Sequence, residues 1–162
     1  MRPVIRRQDL DLIPHRHGTR YEAGIAAIAA PLGATHLGAR WVELAPGKAA
    51  WPRHAHYAND ELFVILGGRG VLRFGGAEHS VEQGDVVVCP AGGADTAHQL
   101  VAGEAGLVYI AISSMREPDV LTYPDSGKIG VFAGAAPGGD KTLRRVEAVW
   151  RAGDVTDYWE GE

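Results

Sequence analysis

From Arg40 to Ile112 the chain is a series of short apolar runs cut by glycine and proline. Trp41-Val42-Glu43-Leu44 ends at Pro46-Gly47, and Glu61-Leu62-Phe63-Val64-Ile65-Leu66 ends at Gly67-Gly68. Val71-Leu72-Arg73-Phe74 and Glu78-His79-Ser80-Val81 flank Gly75-Gly76, a pattern that predicts a tight hairpin. Gln83-Gly84-Asp85 then turns into Val86-Val87-Val88-Cys89, which Pro90 stops. Two further runs follow, Thr96-Ala97-His98-Gln99-Leu100-Val101 and Leu107-Val108-Tyr109-Ile110-Ala111-Ile112. Runs this short are too brief for packed helices, and their even spacing predicts an all-β sandwich or barrel.

The two ends differ from this middle. Residues 1–36 contain Pro14, Pro31 and an alanine-rich piece, Ala23 to Ala30. They predict an arm with one or two short strands that wraps the barrel or a neighbour, because Gly24 and Pro31 make a poor helix. Residues 113–162 carry Pro118, Pro124, Pro137 and Gly138-Gly139. They predict an extended strap with one strand or short helix between Thr142 and Trp150. The expected plan is therefore an arm (1–36), a barrel core (37–112) and a strap (113–162) in one domain, which suits 162 residues.

Composition sharpens this picture in a few places. Glycine supplies 22 of the residues, the tight turns that an all-β barrel requires. The formal charge of −4 gives no basic footprint for nucleic acid, and Arg2, Arg6 and Arg7 read as a solvated end. Cys89 is the lone cysteine, so no internal disulfide forms, and a small buried hydrophobe is its expected role. No apolar run is long enough to span a bilayer, and no apolar stretch follows the basic start, so a cytoplasmic protein is expected. Trp41, Trp51, Trp150 and Trp159 read as core or interface anchors.

The candidate chemistry lies at His54-Ala55-His56. On an extended strand, residues two apart share a face, roughly 6–7 Å from one another, so both imidazoles can lean onto one cation. The stretch 57–60 turns the chain so that Glu61 enters the next strand facing the same interior. His98 is the natural fourth ligand. Three neutral imidazoles and one carboxylate suit a divalent transition metal; Mn, Fe, Ni and Zn all accept imidazole. Of the neighbours, Asp60 reads as a turn carboxylate and Tyr57 as a residue of the barrel mouth or a surface turn. His15-Arg16-His17 with Glu22 has the same spacing, but it follows Pro14 and no apolar strand follows Glu22, so loop histidines are expected there.

These residues resemble the two motifs of the cupin superfamily. In the first, glycine is followed by His-x-His, a glutamate and a further glycine; Gly47, His54, His56, Glu61 and Gly68 take those places, with one extra residue after Gly47. In the second, Gly84, Pro90 and Gly92 fit, but five residues separate Gly92 from His98 where the family has two. The usual count would put Asp95 in the ligand position, so Asp95 is the rival of His98. The resemblance implies a small antiparallel jelly-roll barrel, a double-stranded β-helix, over roughly residues 37–112. The segments around Pro118, Pro124 and the terminal Asp157-Tyr158-Trp159 are similar to a group of single-domain bacterial cupins, some provisionally labelled sugar phosphate isomerases.

Two functions are expected from such a cavity. One is an enzyme acting on a small oxygenated metabolite (a sugar, sugar phosphate or organic acid) as an isomerase, decarboxylase or dioxygenase. The other is a non-catalytic module that binds or senses a small molecule through the same ion. Tyr57, Asp60 and Cys89 are the available candidates for a proton-transfer group near the open site. Cupin barrels leave sheet edges that a partner covers, and with the arm at residues 1–36 this predicts a homodimer.

Overall fold

The computed structural model describes residues 3–162. Two antiparallel sheets make the jelly-roll barrel that the resemblance implies. The larger sheet contains β1 (Ile13–His17), β2 (Tyr21–Ala27), β3 (Gly38–Leu44), β5 (Glu61–Phe74), β6 (Ala77–Glu82), β7 (Val86–Cys89) and β8 (His98–Ser113). The smaller sheet contains β4 (Ala55–His56), β9 (Asp119–Tyr123), β10 (Lys128–Ala133) and β11 (Val146–Arg151). Helical structure among the described residues is confined to single 3-10 turns, at Arg7–Asp9, Ala30–Leu32 and Lys141–Leu143. The alanine-rich piece is strand up to Ala27 and then turns at Pro31.

Several sequence runs join into longer strands. Glu61–Leu66 and Val71–Phe74 are one strand, β5, and the two runs after Pro90 are also one, β8. Glycine does not end β5 because bulges carry it through: its register with β8 slips between Ile65 and Gly67 and again between Gly68 and Gly70. Gly68 has φ +82°, and any Cβ there would run into the Gly106 carbonyl, so a side chain is excluded on both grounds. The hairpin at Gly75-Gly76 forms as its sequence predicts, with Phe74 opposite Ala77.

The segment after residue 113 holds more regular structure than its prolines suggest. Pro118 precedes β9 and Pro124 follows it, so they bound the strand instead of breaking it, and β9, β10 and β11 supply most of the smaller sheet. At the other end, β2 pairs with β3 of its own chain, Ile25 opposite Val42, and β1 folds back on β2.

Register sets rows of side chains inside the barrel. Glu61 lies opposite both Ser113 and Cys89, with Gly38 on the far side of Ser113. The next row holds Phe63, Ala111, Val87 and Arg40, and the third Ile65, Tyr109 and Val42. Val42, Ile65 and Tyr109 are almost completely buried and anchor one core. Cys89 packs in it as the small hydrophobe expected. Trp51 packs against the same core, whereas Trp159 is 72% exposed and lies outside it, edge-on to Tyr158.

Candidate metal centre

His54 and His98 face each other directly, each backbone N–H bonded to the other's carbonyl, at 3.1 and 2.8 Å. That paired geometry brings the rings to 5.1 Å between centroids, and the two-residue period of the strand puts the His56 ring 4.9 Å from that of His54. Glu61 opens β5 after the turn and extends between them. One ligand atom from each of His54, Glu61 and His98 lies within 4.8 Å of the other two. His56 Nε2 lies 3.8 Å from Glu61 Oε2.

All three imidazoles are oriented through the same ring nitrogen. His54 Nδ1 meets the Pro52 carbonyl at 2.8 Å, His98 Nδ1 meets the Thr96 carbonyl at 3.2 Å, and His56 Nδ1 meets Asp119 Oδ2 at 2.6 Å. Carbonyls and carboxylates only accept, so each Nδ1 carries a proton, which leaves the Nε2 of His54 and of His56 with its lone pair. The Nε2 atoms of His56 and His98 lie beside Glu61. His98 Nε2 stands 2.8 Å from Glu61 Oε2, a contact completed either by a second ring proton or by a cation that both atoms ligate. Imidazoles tethered at Nδ1 beside a carboxylate fit a divalent transition ion.

Electrostatics agree with that donor set. Burial pushes the His54 imidazolium down to about 4, the neighbouring His56 and His98 add to this, and Glu61 opposes it. Burial alone would raise Glu61, but the His98 hydrogen bond and the field of the three histidines outweigh it and hold the carboxylate at about 2. Both groups therefore sit in the ligating form at neutral pH. Both folded values also lie below the ordinary 6.5 and 4.5, so each contributes stability above its ordinary value and loses it on acidification. For metal-free protein the urea midpoint should fall below about pH 6.5 and fall further below about pH 4.5. A midpoint that rises on acidification between those limits would contradict this assignment.

Asp119 had no assigned role in the sequence, and the structure gives it one. It is fully buried, and besides His56 it accepts from Ala58 N at 3.0 Å and Asn59 Nδ2 at 2.8 Å. Burial would raise this carboxylate, but the bond to His56 and the other donors bring it below its ordinary value. Asn59, also buried, is bonded to Arg116 and Ser114, so the turn before Glu61 is fastened to the segment before β9. Around the cluster, Tyr123 stacks on His54 at 6.1 Å, and Phe63 lies 5.6 Å from His98.

The remaining candidates stay outside. Asp95 is exposed in the turn before β8, with its backbone against Gly75. Asp60 accepts from Ala91 N at 2.8 Å, the turn role expected for it, and Tyr57 is 57% exposed. His15 packs near Trp51, while Glu22 pairs with Arg16 at 2.7 Å.

Two antiparallel sheets in this order form a jelly-roll barrel of the cupin fold. Residues 40–113, just under half of the chain, match the family model described as a cupin domain. A solved protein from Acidithiobacillus ferrooxidans, provisionally named a sugar phosphate isomerase, superposes with a TM-score of 0.74, 19% identity and 95% coverage of both chains. A cupin from Silicibacter pomeroyi, named a sugar phosphate isomerase, gives 0.74, 22% identity and 93% coverage of both. The polyketide cyclase RemF from Streptomyces resistomycificus gives 0.59 at 21% identity, over 74% of this chain and 84% of its own. At these identities the likeness is one of fold. A search of curated protein sequences finds no match.

Proposed function

We propose that this cupin holds one divalent transition metal through His54, His56, Glu61 and His98, and uses it to bind a small oxygenated metabolite. The observation that carries this reading is the shared orientation of the three imidazoles, each held by an acceptor at Nδ1, which leaves Nε2 as the ligating atom. When bound, such an ion polarises a carbonyl or hydroxyl, or activates water. His54, His56 and His98 fix its position, Glu61 offsets its charge, and Phe63 with Tyr109 beneath keeps that side of the cavity apolar.

The substrate class we infer is a sugar, sugar phosphate or organic acid with two oxygens placed to chelate. Isomerase, decarboxylase and dioxygenase chemistry all suit it. One observation favours a binding or sensing module instead: the candidate proton-transfer groups are not poised for the work. Asp60 is tied to Ala91 N, Tyr57 is largely exposed, and burial pushes the Cys89 thiol up to about 12. Lactate and glyceraldehyde, tested by thermal shift, should raise the melting temperature of metal-loaded protein and leave metal-free protein unchanged. Metal-dependent binding with no product, in air or without it, selects the module; equal shifts with and without metal rule out chelation.

We further propose that arm, barrel and strap act as one cytoplasmic domain that forms a homodimer. The support is β7, an edge strand whose outward Val86 and Val88 are 60% and 59% exposed, an apolar stripe that a second copy would cover. No helix among the described residues is long and apolar enough to cross a membrane. Light scattering should give about twice the chain mass, and Val88→Lys should shift it toward the monomer; a monomeric wild type at micromolar concentration would remove the proposal.

A further inference from the structure

Four arginines among the described residues are not exposed: Arg40, Arg53, Arg73 and Arg144. Three of them have a carboxylate partner. Arg53 and Arg73 share Asp125 at 2.8 and 2.9 Å, and Arg144 pairs with Glu147 at 2.6 Å. Arg40 makes no ion pair among the described residues, and its one side-chain hydrogen bond is from Nη2 to the Gly138 carbonyl at 2.6 Å. A guanidinium has five N–H donors, so most of its capacity is unused. Removing a cation from water without a counter-ion in contact is costly, and among the described residues only the neutral Gly138 carbonyl accepts from it.

Its position shows where those donors lie. Arg40 falls on the inward face of β3, with the buried Val42 and Leu44. Register puts it in the row of Ala111 and Phe63, one row below Glu61 and two strands away. That is roughly 10 Å across the sheet and about 7 Å along it between backbones, a span that two long side chains shorten from both ends. Burial lowers Arg40 from its ordinary value while the Glu61 charge opposes the shift, so the field of the cluster reaches the guanidinium. The turn at Gly138, with φ +84° and no side chain, fits against the same guanidinium and closes one side of it.

We propose that Arg40 is the anion-recognition residue of this cavity, binding the carboxylate or phosphate of a ligand whose hydroxyl or carbonyl oxygens reach the His54–Glu61–His98 cluster. The inference rests on the metal-cavity reading above and adds a charge requirement to it: uncharged sugars are poor ligands and their acidic or phosphorylated relatives are good ones. Arg40 acts here on specificity and makes no bond to the reacting atoms.

The test is a binding cycle on the full chain with lactate against lactamide, and glycerol 3-phosphate against glycerol. Each pair differs in the anion while keeping a hydroxyl. Arg40→Gln should weaken the anionic member of at least one pair by about tenfold, leave the neutral member within about twofold, and retain the full metal content. The pair with the larger coupling identifies carboxylate or phosphate as the natural anion. Arg40→Met keeps the stem against the barrel wall and serves the same purpose if the glutamine variant does not fold. Equal weakening of both members, or of neither, overturns the inference, since an arginine that only held the Gly138 turn would act on all ligands alike. The metal-free arm separates the two readings. If no metal is found, an anion preference that disappears in Arg40→Gln still supports Arg40, and its absence from the wild type overturns it.

Discussion

Purified protein should carry close to one transition-metal ion per chain, and the His54→Ala, His56→Ala double variant should carry almost none. Each replacement removes a bare Nε2 from the cluster, and two ligands fewer leave Glu61 and His98 to hold the ion alone. A structural zinc site contributes on the order of 10 kcal/mol of binding free energy, so losing half the donors should reduce affinity by several orders of magnitude. His15→Ala should leave the metal in place, because His15 packs near Trp51 on β1, away from the cluster. His98→Ala and Asp95→Ala form the informative second pair. His98 contacts Glu61 and Asp95 is exposed, so only the histidine variant should lose metal. Elemental analysis of the five proteins reads all of this, and full metal in the double variant would sink the assignment.

Asp119→Ala should be the most damaging single change outside the ligands. It strips the acceptor from His56 Nδ1, from Ala58 N and from Asn59 Nδ2, all within a site where Asp119 itself has no exposure. Buried donors left without a partner cost about 1–3 kcal/mol each. Loss of the carboxylate behind a ligating histidine also weakens metal affinity by about 10–100-fold. Asp119→Asn retains the size and one acceptor oxygen, so it should recover much of the stability but less of the affinity. Urea unfolding and competition against a chelator separate the two effects. Unchanged affinity in Asp119→Ala would show that His56 is held by its strand alone.

The parts of this protein that depend on near neighbours in the chain were legible in its sequence. The His54-Ala55-His56 pair could be read because a strand repeats every two residues, and the Gly75-Gly76 hairpin because its turn and strands are contiguous. Strand ends were less legible. Gly67-Gly68 looks like a stop, yet β5 passes through it, because a bulge needs the same small residue that a turn needs. Pro118 and Pro124 look like breakers and instead delimit β9. Proline removes one donor, and at a strand end that donor has no ladder partner to lose.

What the sequence determined by itself is an all-β chain and the residues that match the cupin motifs. Alternation and turn chemistry are local, and imidazole and carboxylate types do not depend on the fold. The tertiary structure decided which distant groups complete the site. Asp119 is 63 residues from His56, and no periodicity connects them; only the pairing of β4 with β9 brings the carboxylate to the ring. The choice between His98 and Asp95 depended on the loop between Pro90 and β8, where the backbone bonds between His54 and His98 set the register. Arg40 stands in sequence only where the strand runs begin, and its lack of an ion pair among the described residues belongs to the assembled barrel. Burial and pairing are properties of the assembled barrel, because they depend on what the remaining strands put next to each side chain.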